Sequence, residues 1–126
     1  MAKKLEVSKL SIGERDVNVL VDNMEFLQNK LIQPEGRMLA DSDHLAFVYI
    51  LDVEDDFVYV SFPERIWDEL NRVLKQHLPL FLSLSEDKRV PLTQFEEELQ
   101  YLISNIEENS NYGKGMVHAV SKAFVV

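Results

Sequence analysis

The sequence predicts a single α+β domain over residues 1–126, an antiparallel sheet built from hairpins with two or three helices packed on one side. Three observations carry this expectation. Short runs alternating apolar and polar residues come in pairs, two amphipathic stretches have helical period, and no linker-like stretch divides the chain. A length of 126 residues suits one domain. Four Gly and four Pro are few, so most residues belong to regular elements.

Leu5, Val7, Leu10 and Ile12 alternate with a slip near Ser8-Lys9 that reads as a bulge. Gly13 to Asp16 is turn material, and Val17 to Val21 alternates cleanly, giving a first hairpin. Met24 to Ile32 places apolar residues at helical spacing, a short helix or helical turn, and Pro34-Glu35-Gly36 is expected to stop it. Leu45 to Leu51 is apolar on both faces, the pattern of a central strand. Glu54-Asp55-Asp56 turns the chain into Phe57 to Phe62, a second hairpin. Three acids there do not make a calcium loop, because the Asp-x-Asp-x-Asp-Gly register and the closing Glu are missing.

Ser61-Phe62-Pro63-Glu64 reads as a capping box opening the first long helix. Its apolar stripe is Ile66, Trp67, Leu70, Val73, Leu74, His77 and Leu78, with Pro79 as the stop. Leu80 to Leu84 is a strand, returning through Arg89 to Leu92, where Pro91 requires a sheet edge. Thr93-Gln94-Phe95-Glu96 repeats the capping signature, and Phe95, Leu99, Leu102, Ile103 and Ile106 form the second stripe. Asn109 to Gly113 ends that helix, and Met116, Val117, Val120, Ala123 and Phe124 fit a third.

Composition narrows the function classes. Thirteen Lys+Arg against twenty-two Asp+Glu give a net charge of −9, and the cations are scattered from Lys3 to Lys122. Phosphate backbones and anionic lipid are therefore unfavourable partners; the charge would assist encounter with a basic partner, but simple solubility is the favoured reading of it. The absence of cysteine excludes disulfides, thiolate metal centres and thiol catalysis. No apolar run reaches the ~20 residues that span a bilayer. Charges at Glu6 and Lys9 interrupt any signal-peptide core, so a cytoplasmic location is expected.

Gly36-Arg37-Met38-Leu39-Ala40-Asp41-Ser42-Asp43 running into Ala46-Phe47, Trp67, and Asn105-Ile106 followed by Asn111-Tyr112-Gly113-Lys114 occur together. In these the chain resembles a small uncharacterised protein family of low-GC Gram-positive bacteria, the bacilli and staphylococci, with no assigned activity. The resemblance covers roughly residues 36 to 124, with a weaker match before Gly36. It implies a cytoplasmic bacterial protein and supplies no catalytic residue.

Candidate chemistry is sparse, and each feature has a structural reading beside the functional one. Asp41 and Asp43 present two carboxylates before the central strand, able to bind Mg²⁺ or serve as acid and base, or simply to form the turn. Tyr112 and Lys114, with His118 four residues beyond the lysine, would frame an anion at a helix start, or merely connect two helices. Trp67 reads as core rather than as a binding surface, and His77 as a residue at the core's edge. The three histidines form no metal-ligand pair, and no Gly-x-Ser-x-Gly elbow supports a serine nucleophile.

Two functions follow as expectations. The first is a non-enzymatic, protein-interaction domain of adaptor or regulatory type, whose sheet edges pair with another protein or with a second copy; no cofactor, metal, nucleic acid or membrane enters it. The second is a small-molecule or anion-binding sensor or enzyme, which requires Asp41, Asp43, Tyr112, Lys114 and His118 to meet in one pocket.

Overall fold

A computed structural model describes residues 3–85, 87–108 and 110–124. The first hairpin forms as the alternation requires, β1 (Lys3–Ile12) against β2 (Val17–Val21), with Gly13 N–H donating to the Asp16 carbonyl at 2.9 Å across the turn. Its register shifts between Val7 and Lys9, which is the expected bulge. The bulge has a partner far along the chain: the Arg65 guanidinium donates to the carbonyls of Val7 at 2.8 Å and Ser8 at 3.3 Å.

The next segment forms the expected helical turn, but the turn ends before Ile32 and is not stopped by Pro34. Helical structure after β2 is one 3-10 turn, Met24–Leu27, and Ile32 already belongs to a strand, β3 (Ile32–Asp41). Pro34 and Gly36 do not end a helix; they lie in a break of register between Pro34 and Met38 within β3. Proline is tolerated because β3 is an edge strand. Gly36 is needed for its φ of 68°, and a β-carbon there would meet Gln94 Oε1 at 2.8 Å.

The second hairpin is the longest ladder. β4 (Ala46–Val53) and β5 (Asp56–Pro63) pair without interruption from Ala46↔Pro63 to Val53↔Asp56. Glu54 and Asp55 form the two-residue loop with φ of 51° and 71°, as a type I′ turn demands, and Asp52 Oδ1 accepts the Asp55 N–H at 3.0 Å. Ser61 caps no helix. It is buried in β5 between Glu6 of β1 and Val48 of β4, because two ladders hold the chain extended as far as Pro63.

A 3-10 turn, Glu64–Ile66, leads into α1 (Trp67–Lys75). The predicted stripe is buried from Ile66 to Leu74, but His77 lies outside the helix. It has φ of 55°, with His77 N–H on the Leu74 carbonyl at 3.1 Å and Leu78 N–H on the Val73 carbonyl at 3.2 Å. That pair of bonds is a Schellman stop, so His77 occupies the left-handed position usually given to glycine. Its side chain is 72% exposed and points to Glu96, rather than to the core.

β6 (Leu80–Ser83) and β7 (Arg89–Pro91) form the last hairpin, with Pro91 on the outer edge as expected. α2 (Phe95–Glu108) buries Phe95, Leu99, Leu102 and Ile106, while the Thr93 hydroxyl lies 3.3 Å from the Tyr49 phenol instead of capping the helix. Asn109 lies outside the described residues. The tail is α3 (Lys114–Ala123), burying Met116, Ala119 and Val120.

The strands join in one seven-stranded sheet of order β3-β4-β5-β1-β2-β6-β7. The α+β class holds, yet the sheet is mixed: β1 runs parallel to β5, and β2 parallel to β6. Hairpin reasoning sees only neighbours in sequence, and these two pairings join strands separated by about half of the domain. The sheet curls so that β3 returns towards β7 and α2. Inside the curl Trp67 is fully buried, its ring 4.9 Å from Phe47 and 5.6 Å from Phe124, and its indole N–H donates to the Phe62 carbonyl at 2.9 Å.

Candidate functional site

Strand β4 is buried on both faces, and the two faces differ in what covers them. Phe47, Tyr49, Leu51 and Val53 point into the core with the helices. Ala46, Val48 and Ile50 alternate with them and face outward, yet each is at most 5% exposed. Their cover comes from the neighbouring strands. Leu39 of β3 stands opposite Val48, Tyr59 of β5 opposite Ile50, and Phe57 one row further on opposite Asp52. Leu39 and Phe57 are each 47% exposed, so this second apolar layer has an open top.

Charge rims the strip and, at Arg37 of β3, reaches across β4 towards Phe57 of β5. Arg37 places its guanidinium 5.9 Å from the centre of the Phe57 ring and 3.6 Å from Glu35. Lys4 reaches Asp41 at 3.9 Å. Beside Leu39, Val48 and Tyr59 a cleft of about 350 Å³ opens, walled by Ala40, Asp41, Ser42 and Asp43. A second cleft of about 360 Å³, lined by Lys4, Glu6, Asp22, His44, Ala46 and Ser61 with Pro63, lies on the same face of the sheet.

The predicted site residues divide between two places. Asp41 and Asp43 share the first cleft. Asp41 is also the organiser of the turn, accepting the His44 N–H at 3.3 Å and meeting the His44 ring Nδ1 at 2.9 Å. Tyr112 is half-buried and packs against the core, Lys114 is the exposed first residue of α3, and His118 is exposed one turn later. None of these three lines the cleft that holds Asp41 and Asp43. His44, Asp41 and the nearby Ser61 offer the residue types of a hydrolytic triad. Among the described residues, however, the His44 ring hydrogen-bonds only to Asp41, and Ser61 sits in mid-ladder without a strand-to-helix elbow. Among the described residues no group of three or more His, Asp or Glu side chains could hold a metal ion.

Two features escaped the sequence reading. The outward strip was signalled by the unbroken apolar run of β4, but not the fact that no helix would cover it. The other is a buried latch. Tyr49 donates its phenolic proton to the Thr93 carbonyl at 2.8 Å and accepts the Gly36 N–H at 3.3 Å, tying β4 to the bend in β3 and to the start of α2. Burial pushes the Tyr49 phenol above its usual range, since ionisation there would strand a charge away from water.

These observations define a class: a one-domain α+β protein, helices inside a curled mixed sheet, bearing an uncovered apolar strip on the sheet's outer face. The chain belongs to UPF0738, a family of unknown function whose profile matches residues 5–124 and so takes in the first hairpin as well as the segments that suggested the resemblance. It is 46% identical to a UPF0738 protein of Bacillus licheniformis, over 99% of this chain and all of the relative. A Geobacillus relative is 40% identical over 99% of both chains. UPF0738 protein YjbL of Bacillus subtilis is 44% identical over 74% of this chain and 75% of its own. No solved structure matches the chain. Among the described residues no helix is long and apolar enough to cross a membrane.

Proposed function

We propose that this protein acts by contact, as an adaptor or regulatory domain in the bacterial cytoplasm, and that the outward strip of β3, β4 and β5 is its binding surface. The single observation behind this reading is the half-exposed pair Leu39 and Phe57, standing over a layer already buried beneath them. Bulky apolar side chains arranged contiguously and rimmed by charge are the usual make-up of an interaction site. The net charge of −9 supports a protein partner and opposes nucleic acid.

A photo-reactive amino acid at position 39 or 57, introduced in the native bacterium, tests this. The expected result is a discrete protein adduct from both positions and none from Leu31 or Tyr101, which are more exposed but lie off the strip. Equal labelling at all four positions, or none at the strip, refutes it.

A second reading rests on the cleft beside Asp41 and Asp43, whose apolar wall and two carboxylates suit a small cationic molecule. Protein isolated from its own cells would then carry such a molecule in native mass spectrometry, and the Asp43→Asn variant would lose it. Wild-type protein of bare chain mass refutes this reading.

A further inference from the structure

The partner's chemistry can be taken further, on the footing that the strip is the binding surface. We infer that it receives a short basic amphipathic helix from another protein. The outward rows of the sheet supply the first argument. Leu39 with Val48, Ile50 with Tyr59, and Phe57 opposite Asp52 are three successive rows on one face. From Val48 to Asp52 is four residues of strand, about 13 Å. Apolar residues at i, i+4 and i+8 of a helix cover about 12 Å, so each turn meets one row.

Charge supplies the second argument. Carboxylates stand at both ends of the strip: Asp41 and Asp43 beyond Leu39, and Asp52 beyond Ile50. Two cations on this face are already matched, Lys4 by Asp41 at 3.9 Å and Arg37 by Glu35 at 3.6 Å. An acidic segment would meet Asp43 at one end and Asp52 at the other, neither of them ion-paired among the described residues, since Lys4 and His44 engage Asp41 alone. A second copy of this chain would bring the same carboxylates and a net charge of −9 against −9. A helix with Lys or Arg flanking its apolar stripe fits both the rows and the rim.

The test uses the full chain and a fluorescein-labelled 16-residue helix of Leu and Lys, with Leu at i, i+4 and i+8, beside a peptide of the same composition in scrambled order. Fluorescence anisotropy should show the ordered peptide binding at least tenfold more tightly than the scrambled one. The Leu39→Ser/Phe57→Ser variant, whose net charge is unchanged, should lose about tenfold of that affinity. Asp43→Asn/Asp52→Asn, which keeps the apolar strip, should weaken binding and flatten its salt dependence. Equal binding of the two peptides, or no effect of either variant, overturns the inference. So does a dimer in sedimentation that the Leu39→Ser/Phe57→Ser variant abolishes. Adducts at 39 and 57 that map to an acidic segment would overturn the helix chemistry while leaving the interaction surface intact; absence of adducts removes the surface itself.

Discussion

Replacing Tyr49 with Phe removes one oxygen atom and leaves the ring stacked 6.1 Å from Phe95. The lost bond to the Thr93 carbonyl is worth about 1 kcal/mol net, and the buried Gly36 N–H is left without its acceptor, adding about 1–2 kcal/mol. The sum is about 2–3 kcal/mol. An unfolding entropy of about 2.1 cal/mol/K per residue gives about 0.26 kcal/mol/K for 126 residues. Calorimetry should therefore find Tm lowered by about 8–11 °C. The pH dependence is a separate check. The folded phenol titrates above the ordinary value of 10.0, chiefly because it is desolvated, so the unfolded chain releases this proton first. Above that value the unfolded state binds fewer protons and stability falls with rising pH. The contribution is complete below pH 10.0 and is lost as pH climbs towards the raised folded value. Denaturant midpoints of the two proteins should converge as pH rises above 10.0 towards the raised folded value, other groups being common to both. A Tm within 2 °C of wild type, or a difference that stays constant through that range, refutes the latch.

Trp67→Phe should lower stability by about 2 kcal/mol in chemical denaturation, through the lost N–H to the Phe62 carbonyl and the space left between Phe47 and Phe124. Gly36→Ala should cost about 1–2 kcal/mol by thermal unfolding, because φ of 68° strains a β-carbon and Gln94 must move aside. His77→Gly should stabilise by about 0.5–1 kcal/mol in the same assay, relieving the left-handed position at the end of α1 while giving up only an exposed contact to Glu96.

What was legible in the sequence follows the range of the interactions involved. Hairpins and helix stripes depend on residues close together, and β1–β2, β4–β5 and α2 emerged from alternation and period alone. Even the bulge near Ser8 was visible. The misreadings occurred where a distant strand outvoted local chemistry. Ser61-Phe62-Pro63-Glu64 has the letters of a cap, but Glu6 and Val48 pair with Ser61 and keep it extended. Pro34 and Gly36 have the letters of a stop, but an edge strand accommodates both. His77 occupies a place where glycine would have announced the helix end. The site was harder still: Asp41 and Asp43 do share a cleft, whereas the exposure of Leu39 and Phe57 depends on which face the helices choose, a fact of tertiary packing.

The position of β1 has a consequence for how the molecule assembles. It is the seam of the sheet, bonded to β5 on one side and to β2 on the other. Lys3 waits for Val58, and Val17 for Leu80, so the first hairpin made on the ribosome meets its lateral neighbours only after about half the chain has followed. Both halves of the sheet can form their own hairpins early, but neither can close on the other until this hairpin is seated between them. Such long-range closure slows folding. It also leaves the flanks of the nascent hairpin open to whatever strand arrives first, the interval in which an escorting chaperone would matter most.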